Sequence, residues 1–250
     1  MVADQPTIVA TSIGFQPMNL GQWDWQLGPV YRYAADLAHA GPSPRVCIVA
    51  TALGDDPTWL TAFYAAFGRS GFRATHLALF PQPNTADIRG LLLEQDLIWV
   101  AGGSVANLLA VWHTHDLGSI LAECWQAGIV LTGVSAGSVC WFAGGTTDSF
   151  GMPLRPVVNG LGFLPYSNSA HHDVEPERRP TITRLVADRQ LPDCYATDNG
   201  TALTFFGTTL HEAVSDTDGA RAWHLTRLPD GRVDEQPLPT RPLVASQPSR

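Results

Sequence analysis

Arg45-Val46-Cys47-Ile48-Val49-Ala50, Leu97-Ile98-Trp99-Val100-Ala101 and Ile129-Val130-Leu131-Thr132 are short runs with an apolar residue at almost every position. A strand with one wet face alternates apolar and polar side chains. These runs do not, which is the pattern of strands covered on both faces in a parallel sheet. Stretches with helical spacing separate them. Thr58 to Phe67 brings Trp59, Leu60, Phe63 and Phe67 to one face. Helices are also expected at Gly28 to Ala40, Asp87 to Glu94, Asn107 to Trp112 and Ile120 to Gln126, and strands at Thr7 to Ala10 and Ala74 to Phe80. The alternation predicts an α/β fold, a mostly parallel sheet with helices on both faces.

After Thr132 the pattern changes. Gly144 to Ser169 is rich in Gly, Pro, Ser and Asn and reads as loop, and Glu177 to Asp188 reads as helix. Short strand-like pieces follow at Cys194 to Thr197, Ala202 to Phe206, Thr209 to Val214 and Ala222 to Thr226, predicting a C-terminal antiparallel extension. The expected organisation is one domain over 1–235 and an unstructured Pro- and Ser-rich tail over 236–250.

Composition narrows the function. The net charge of −8 and the absence of an arginine cluster argue against a nucleic-acid partner. No apolar stretch is long enough to span a bilayer, and Met1 to Pro6 lacks the basic and apolar pattern of a signal segment. The 4 cysteines (Cys47, Cys124, Cys140 and Cys194) form no C-x-x-C and read as buried free thiols, so a cytoplasmic location is expected. All 15 basic residues other than histidine are arginines. Without lysine, the chain has no Schiff-base residue, no Walker A lysine and no Ser-Lys dyad.

Gly133-Val134-Ser135-Ala136-Gly137 follows the third apolar run, and Ser138-Val139-Cys140-Trp141-Phe142 reads as a helix start behind it. Strand, tight turn and helix around G-x-S-x-G is the setting of a nucleophilic serine, and the glycines admit the strained turn. With no lysine, the base for Ser135 must be a histidine or a carboxylate. Of 8 histidines, His171 and His172 follow the strand-like Gly162-Phe163-Leu164 on a loop, where a general base belongs. His113 and His115 form an H-x-H that does not converge on one ion, and no metal site is expected. Asp148, Asp173 and Glu175 are candidates for the group that orients the histidine, and the residues alone do not rank them. Gly102-Gly103 closes one apolar run and opens a helix. The N–H of Gly103, with that of Ala136, would make an oxyanion hole.

The ordered set Trp99-Val100-Ala101-Gly102-Gly103-Ser104, Asn107-Leu108-Leu109, Gly133 to Gly137, Thr147-Asp148-Ser149-Phe150, Gly160 to Pro165, His171-His172-Asp173 and Glu175 to Pro180 resembles peptidase E, the aspartyl dipeptidase family of serine peptidases to which cyanophycinases are related. The similarity runs from about Thr7 to Thr226. The resemblance implies a fold like the class I glutamine amidotransferases (flavodoxin-like), with serine in place of their cysteine. It implies hydrolysis of short peptides with N-terminal Asp, without metal or cofactor, by an enzyme that is often a homodimer. By motif position it implies Ser135 as nucleophile, His171 as base, and Asp148 as acid with Glu175 as the alternative. Gly103 and Ala136 fall at the oxyanion positions, and Gly102, Ser104 and Arg178 at substrate-binding positions, Arg178 selecting the aspartyl side chain. The sequence departs from the family at Thr11-Ser12-Ile13-Gly14-Phe15, at Ser104 and at His172.

Two other readings compete. An α/β-hydrolase esterase would use Asp193 or Asp198 with the late His224. A non-catalytic binding protein could be built on the same fold. Asp198, in Thr197-Asp198-Asn199-Gly200, is read as part of a β-turn, with a substrate-ammonium role as the alternative.

Overall fold

The computed structural model describes residues 2–18 and 24–243. Its first half runs β1 (Thr7–Thr11), β2 (Gln16–Pro17), β3 (Trp25–Gln26), α1 (Pro29–Leu37), β4 (Arg45–Val49), a 3-10 turn (Thr51–Leu53), α2 (Pro57–Arg69), β5 (Arg73–Leu77), α3 (Ile88–Leu93), β6 (Leu97–Val100), α4 (Val105–Thr114), α5 (Leu117–Gln126) and β7 (Val130–Val134). The second half runs α6 (Ala136–Val139), β8 (Phe142–Thr147), β9 (Arg155–Val157), β10 (Leu164–Ala170), α7 (Arg178–Ala187), β11 (Cys194–Thr197), β12 (Thr201–Phe206), β13 (Thr209–Ser215), β14 (Ala222–Arg227), β15 (Val233–Leu238) and β16 (Thr240–Pro242).

The main sheet has the order β16-β13-β12-β1-β7-β6-β4-β5. From β1 to β5 every pairing is parallel. β12 and β13 add antiparallel beside β1, and β16 closes that edge parallel to β13. Neighbouring residues of one strand serve opposite faces. Ile98 and Val100 pack with Leu108, Leu109 and Trp112 of α4, whereas Leu97 and Trp99 pack with Tyr31 of α1 and with Phe63 and Phe67 of α2. Each large apolar side chain removed from water in this way contributes about 2 kcal/mol. Burial on both faces is why these strands show no alternation. Side-chain caps fix where the helices start: Asp56 accepts from Thr58 N–H at α2, Asp87 from Gly90 N–H at α3, and Ser104 from Asn107 N–H at α4.

A second sheet, in the order β15-β14-β11-β10-β8-β9, and the elements around it correct four expectations. The helix expected over Ser138–Phe142 is a single turn, α6, before the chain extends into β8. The stretch expected as loop supplies β8, β9 and β10, with Gly144 and Gly145 inside β8. A Cβ there would sit 2.2 Å from the Val157 and Asn168 carbonyl oxygens, so these glycines serve close strand packing rather than a turn. The late strands are not one antiparallel extension. β8, β10 and β11 pair in parallel while β14 pairs antiparallel with β11, and β12 and β13 belong to the main sheet. Residues 236–242, expected within an unstructured tail, lie in or between β15 and β16, and 244–250 fall outside the described residues.

Both sheets present the carboxyl ends of parallel strands to one region, where ligands of such folds bind. Gly102 and Gly103 follow β6, Ser135 follows β7, Asp148 follows β8, His171 follows β10 and Asn199 follows β11.

Candidate active site

Ser135 stands at the turn between β7 and α6 with φ 58° and ψ −113°, a conformation rarely adopted by a residue with a side chain. The turn is held by its surroundings. Ser135 N–H donates to Thr11 O (3.1 Å), Val139 N–H to Ser135 O (3.0 Å), and the Ser138 hydroxyl to Asn168 Oδ1 (2.9 Å). The flanking glycines answer to crowding. A Cβ at Gly137 would lie 2.2 Å from Val100 O, and one at Gly133 would lie 2.4 Å from Gly137 O. Gly102 passes so close that its Cβ would be 3.2 Å from Ser135 Cβ. Gly103 adopts φ 130°, and a Cβ there would meet Ala52 O at 2.4 Å.

A cleft of about 80 Å³ opens beside this turn, and its lining includes Gly103, Ser135, Ala136, Asp148, His171, Glu175 and Arg178. Seven positions singled out in the sequence therefore share one cavity, although they come from five separate segments. Ser104 is not in the lining, because its hydroxyl caps α4 through Asn107 N–H (3.2 Å).

His171 is half-buried and has φ 55°, another positive value for a residue with a side chain. Its N–H donates to Ser12 Oγ (2.9 Å), and the next residue's N–H donates to Thr197 O (3.0 Å). Its Nδ1 is hydrogen-bonded to Asn199 Oδ1. That amide oxygen can only accept, so Nδ1 is the donor, and in the neutral imidazole the lone pair then falls on Nε2. The Asn199 N–H in turn donates to Asp173 Oδ1 (2.8 Å).

The ring nitrogen expected to meet Asp148 or Glu175 is thus taken by Asn199. Asp148 is exposed on the cleft wall just after β8, and no hydrogen bond or ion pair of its carboxylate is found among the described residues. Glu175 is engaged by Arg178, whose Nε donates to Glu175 Oε2 (2.6 Å) and whose Nη2 reaches the same oxygen. The local sequence Thr197-Asp198-Asn199-Gly200 does not single out Asn199. The signal that points to it is β11 pairing parallel with β10, which sets Ala170 opposite Thr197 and starts both following loops at one level.

The β-turn reading of Asp198 fits the geometry. Thr201 N–H donates to Asp198 O (3.1 Å), and the carboxylate accepts from Trp223 Nε1 (3.0 Å) and Arg221 N–H (3.2 Å). Burial raises the Asp198 carboxyl above its usual range, with the nearby Asp173 charge adding to the effect. His172 is buried away from the cleft, with Nε2 3.0 Å from Glu235 Oε1 and Nδ1 3.2 Å from Ser169 Oγ. Burial lowers its pKa, against the opposing pull of Glu235.

The esterase partners do not gather at the serine. His224 stacks on Tyr195 with ring centroids 4.4 Å apart, and Asp193 Oδ1 accepts from Arg227 N–H (3.0 Å). Among the described residues no cluster of His, Cys, Asp or Glu could hold a metal ion, and no helix is long and apolar enough to cross a membrane. All four cysteines are buried and free.

The model of peptidase family S51 matches residues 27–213. The chain is 40% identical over 200 residues to the uncharacterised peptidase YgaJ of Bacillus subtilis (strain 168), which covers 80% of this chain and 85% of that protein. It is 27% identical over 156 residues to peptidase E of Shewanella denitrificans, covering 59% of this chain and 66% of that one. Among solved structures, that of a peptidase from an acI-B1 Actinobacterium superposes with a TM-score of 0.66 at 19% identity, covering 94% of this chain and 95% of that one.

Proposed function

The chain belongs to peptidase family S51 and is a peptidase, and we propose that it is a serine exopeptidase acting on dipeptides or short peptides with N-terminal Asp. The observation that carries this reading is the Asn199–His171 hydrogen bond. With Nδ1 so engaged, the other ring nitrogen is the one available to act as base, on a residue that lines the cleft together with Ser135. Ser135 is the nucleophile, His171 the general base, and Asn199 the group that fixes the histidine's tautomer.

His171 Nε2 takes the Ser135 hydroxyl proton as Oγ attacks the scissile carbonyl carbon. The resulting oxyanion is held by the N–H groups of Gly103 and Ala136, and loss of one such donor costs about 3 kcal/mol of transition-state stabilisation. His171 then gives the proton to the leaving amine as the C–N bond breaks. Water, activated by the same nitrogen, releases the acyl group from Ser135. Asn199 holds the ring without a negative charge, an arrangement that also serves Cys-His-Asn proteases.

Arg178 supports the aspartyl preference. It is buried in the cleft wall at the start of α7, and a guanidinium there can hold a side-chain carboxylate through two N–H groups. The test is hydrolysis of X-Leu dipeptides, with X = Asp, Glu, Asn, Ala and Leu, by wild type and Ser135→Ala. Asp-selective turnover that the substitution abolishes is expected. Turnover surviving in Ser135→Ala refutes the serine mechanism, and turnover without selectivity refutes the role of Arg178.

A further inference from the structure

Arg178 is not an empty receptor. Only 7% of its side chain is exposed, yet its sole acceptor among the described residues is Glu175, whose side chain is 35% exposed. Nε and Nη2 both reach one oxygen, Oε2, and no hydrogen bond from the fork to the second carboxylate oxygen is found among the described residues. Glu175 is also tethered, because its backbone oxygen accepts from Arg178 N–H at 3.0 Å. A free carboxylate can instead set one oxygen against each N–H, the stronger bidentate arrangement. Glu175 lines the same cleft as Ser135, so it sits where an acidic substrate side chain would have to enter.

We propose that Glu175 is a resident stand-in for the substrate's carboxylate, a specificity-determining residue that neutralises Arg178 in the empty enzyme and gives way to an aspartyl side chain. This rests on the reading of the cleft given above and adds to it. A buried guanidinium without a partner is strongly unfavourable. Glu175 removes that penalty whenever the cleft is empty or holds a neutral side chain. It therefore narrows the advantage of Asp over Ala or Asn, because the acidic substrate exchanges one ion pair for another rather than creating a new one.

The experiment compares wild type, Glu175→Gln and Glu175→Asp, the last with a carboxylate too short for the same contact. The first readout is the ratio of kcat/KM for Asp-Leu to that for Ala-Leu. The second is binding of succinate to each protein carrying Ser135→Ala, measured by calorimetry and independent of turnover. Both Glu175 variants are expected to raise the ratio and to tighten succinate binding, each by about tenfold. An unchanged or smaller ratio with unchanged succinate binding overturns the proposal. So does an equal loss on both substrates, which would assign Glu175 to the substrate ammonium group. Asp-Leu turnover that requires Ser135 but is indifferent to Glu175 removes this inference alone. Absence of any Ser135-dependent turnover removes the serine-peptidase reading, while succinate binding still tests the Arg178 exchange.

Discussion

Ser12 and His171, separated by most of the chain, meet where the hydroxyl oxygen of the first accepts the backbone N–H of the second at 2.9 Å. Ser12 follows β1 of the main sheet, and His171 follows β10 of the other. The same hydroxyl shares a 2.7 Å hydrogen bond with Thr197 Oγ1 at the end of β11. One buried side chain thus fastens the histidine, in its positive-φ conformation, to both sheets.

Ser12→Ala removes that acceptor and leaves a main-chain donor without its partner. A loss of about 1–2 kcal/mol in stability is expected, with kcat falling more than KM rises because the histidine is no longer held in place. Urea denaturation and steady-state kinetics on one preparation separate the two effects.

Asn199→Ala and Asn199→Asp should diverge. The alanine variant loses the tautomer control of His171, and a drop in kcat of about 100-fold is expected. The aspartate variant keeps an oxygen that can accept from Nδ1, so its activity should persist within about tenfold of wild type. An aspartate variant as slow as the alanine variant would refute the role given to that acceptor.

Gly137→Ala is expected to be severely destabilising, by about 2–3 kcal/mol, since the added carbon would lie 2.2 Å from Val100 O. Gly162→Ala is the control, because nothing lies within 4 Å of the new carbon and only its φ of 68° opposes the change. Thermal denaturation of the pair distinguishes backbone crowding from conformational preference. Equal shifts would refute the role given to the Val100 carbonyl.

His172 gives stability a pH dependence of known sign. Burial places its folded pKa below the unfolded value of about 6.5, so the unfolded chain takes up the proton first. The contribution is complete above about pH 6.5 and is lost as pH falls through the folded value. Between pH 7 and pH 5 the urea midpoint of the wild type should fall more steeply than that of His172→Gln. Parallel curves would contradict the assignment.

The main sheet was legible because burial on both faces leaves its mark in sequence, as Leu97 to Ala101 do. The second sheet was hidden because its strands carry glycines and polar residues. Asn168 and Ser169 are buried in β10, each satisfied by a side-chain hydrogen bond that no local pattern announces. Ser135 and His171, the nucleophile and base proposed above, stand in motifs that the local sequence displays. Asn199 does not, since its relation to His171 is set by the pairing of β10 with β11.

The residues assigned to catalysis follow the order nucleophile, base, orienting group along the chain, and they are divided between the two sheets. During synthesis Ser135 leaves the ribosome well before Asn199. Under the mechanism proposed above, a nascent chain with only its main parallel strands assembled would carry a serine with no base to activate it. On that reading hydrolytic competence arrives late, with β10 and β11 in place, so that peptide cleavage would report the finished molecule and the growing one would stay silent.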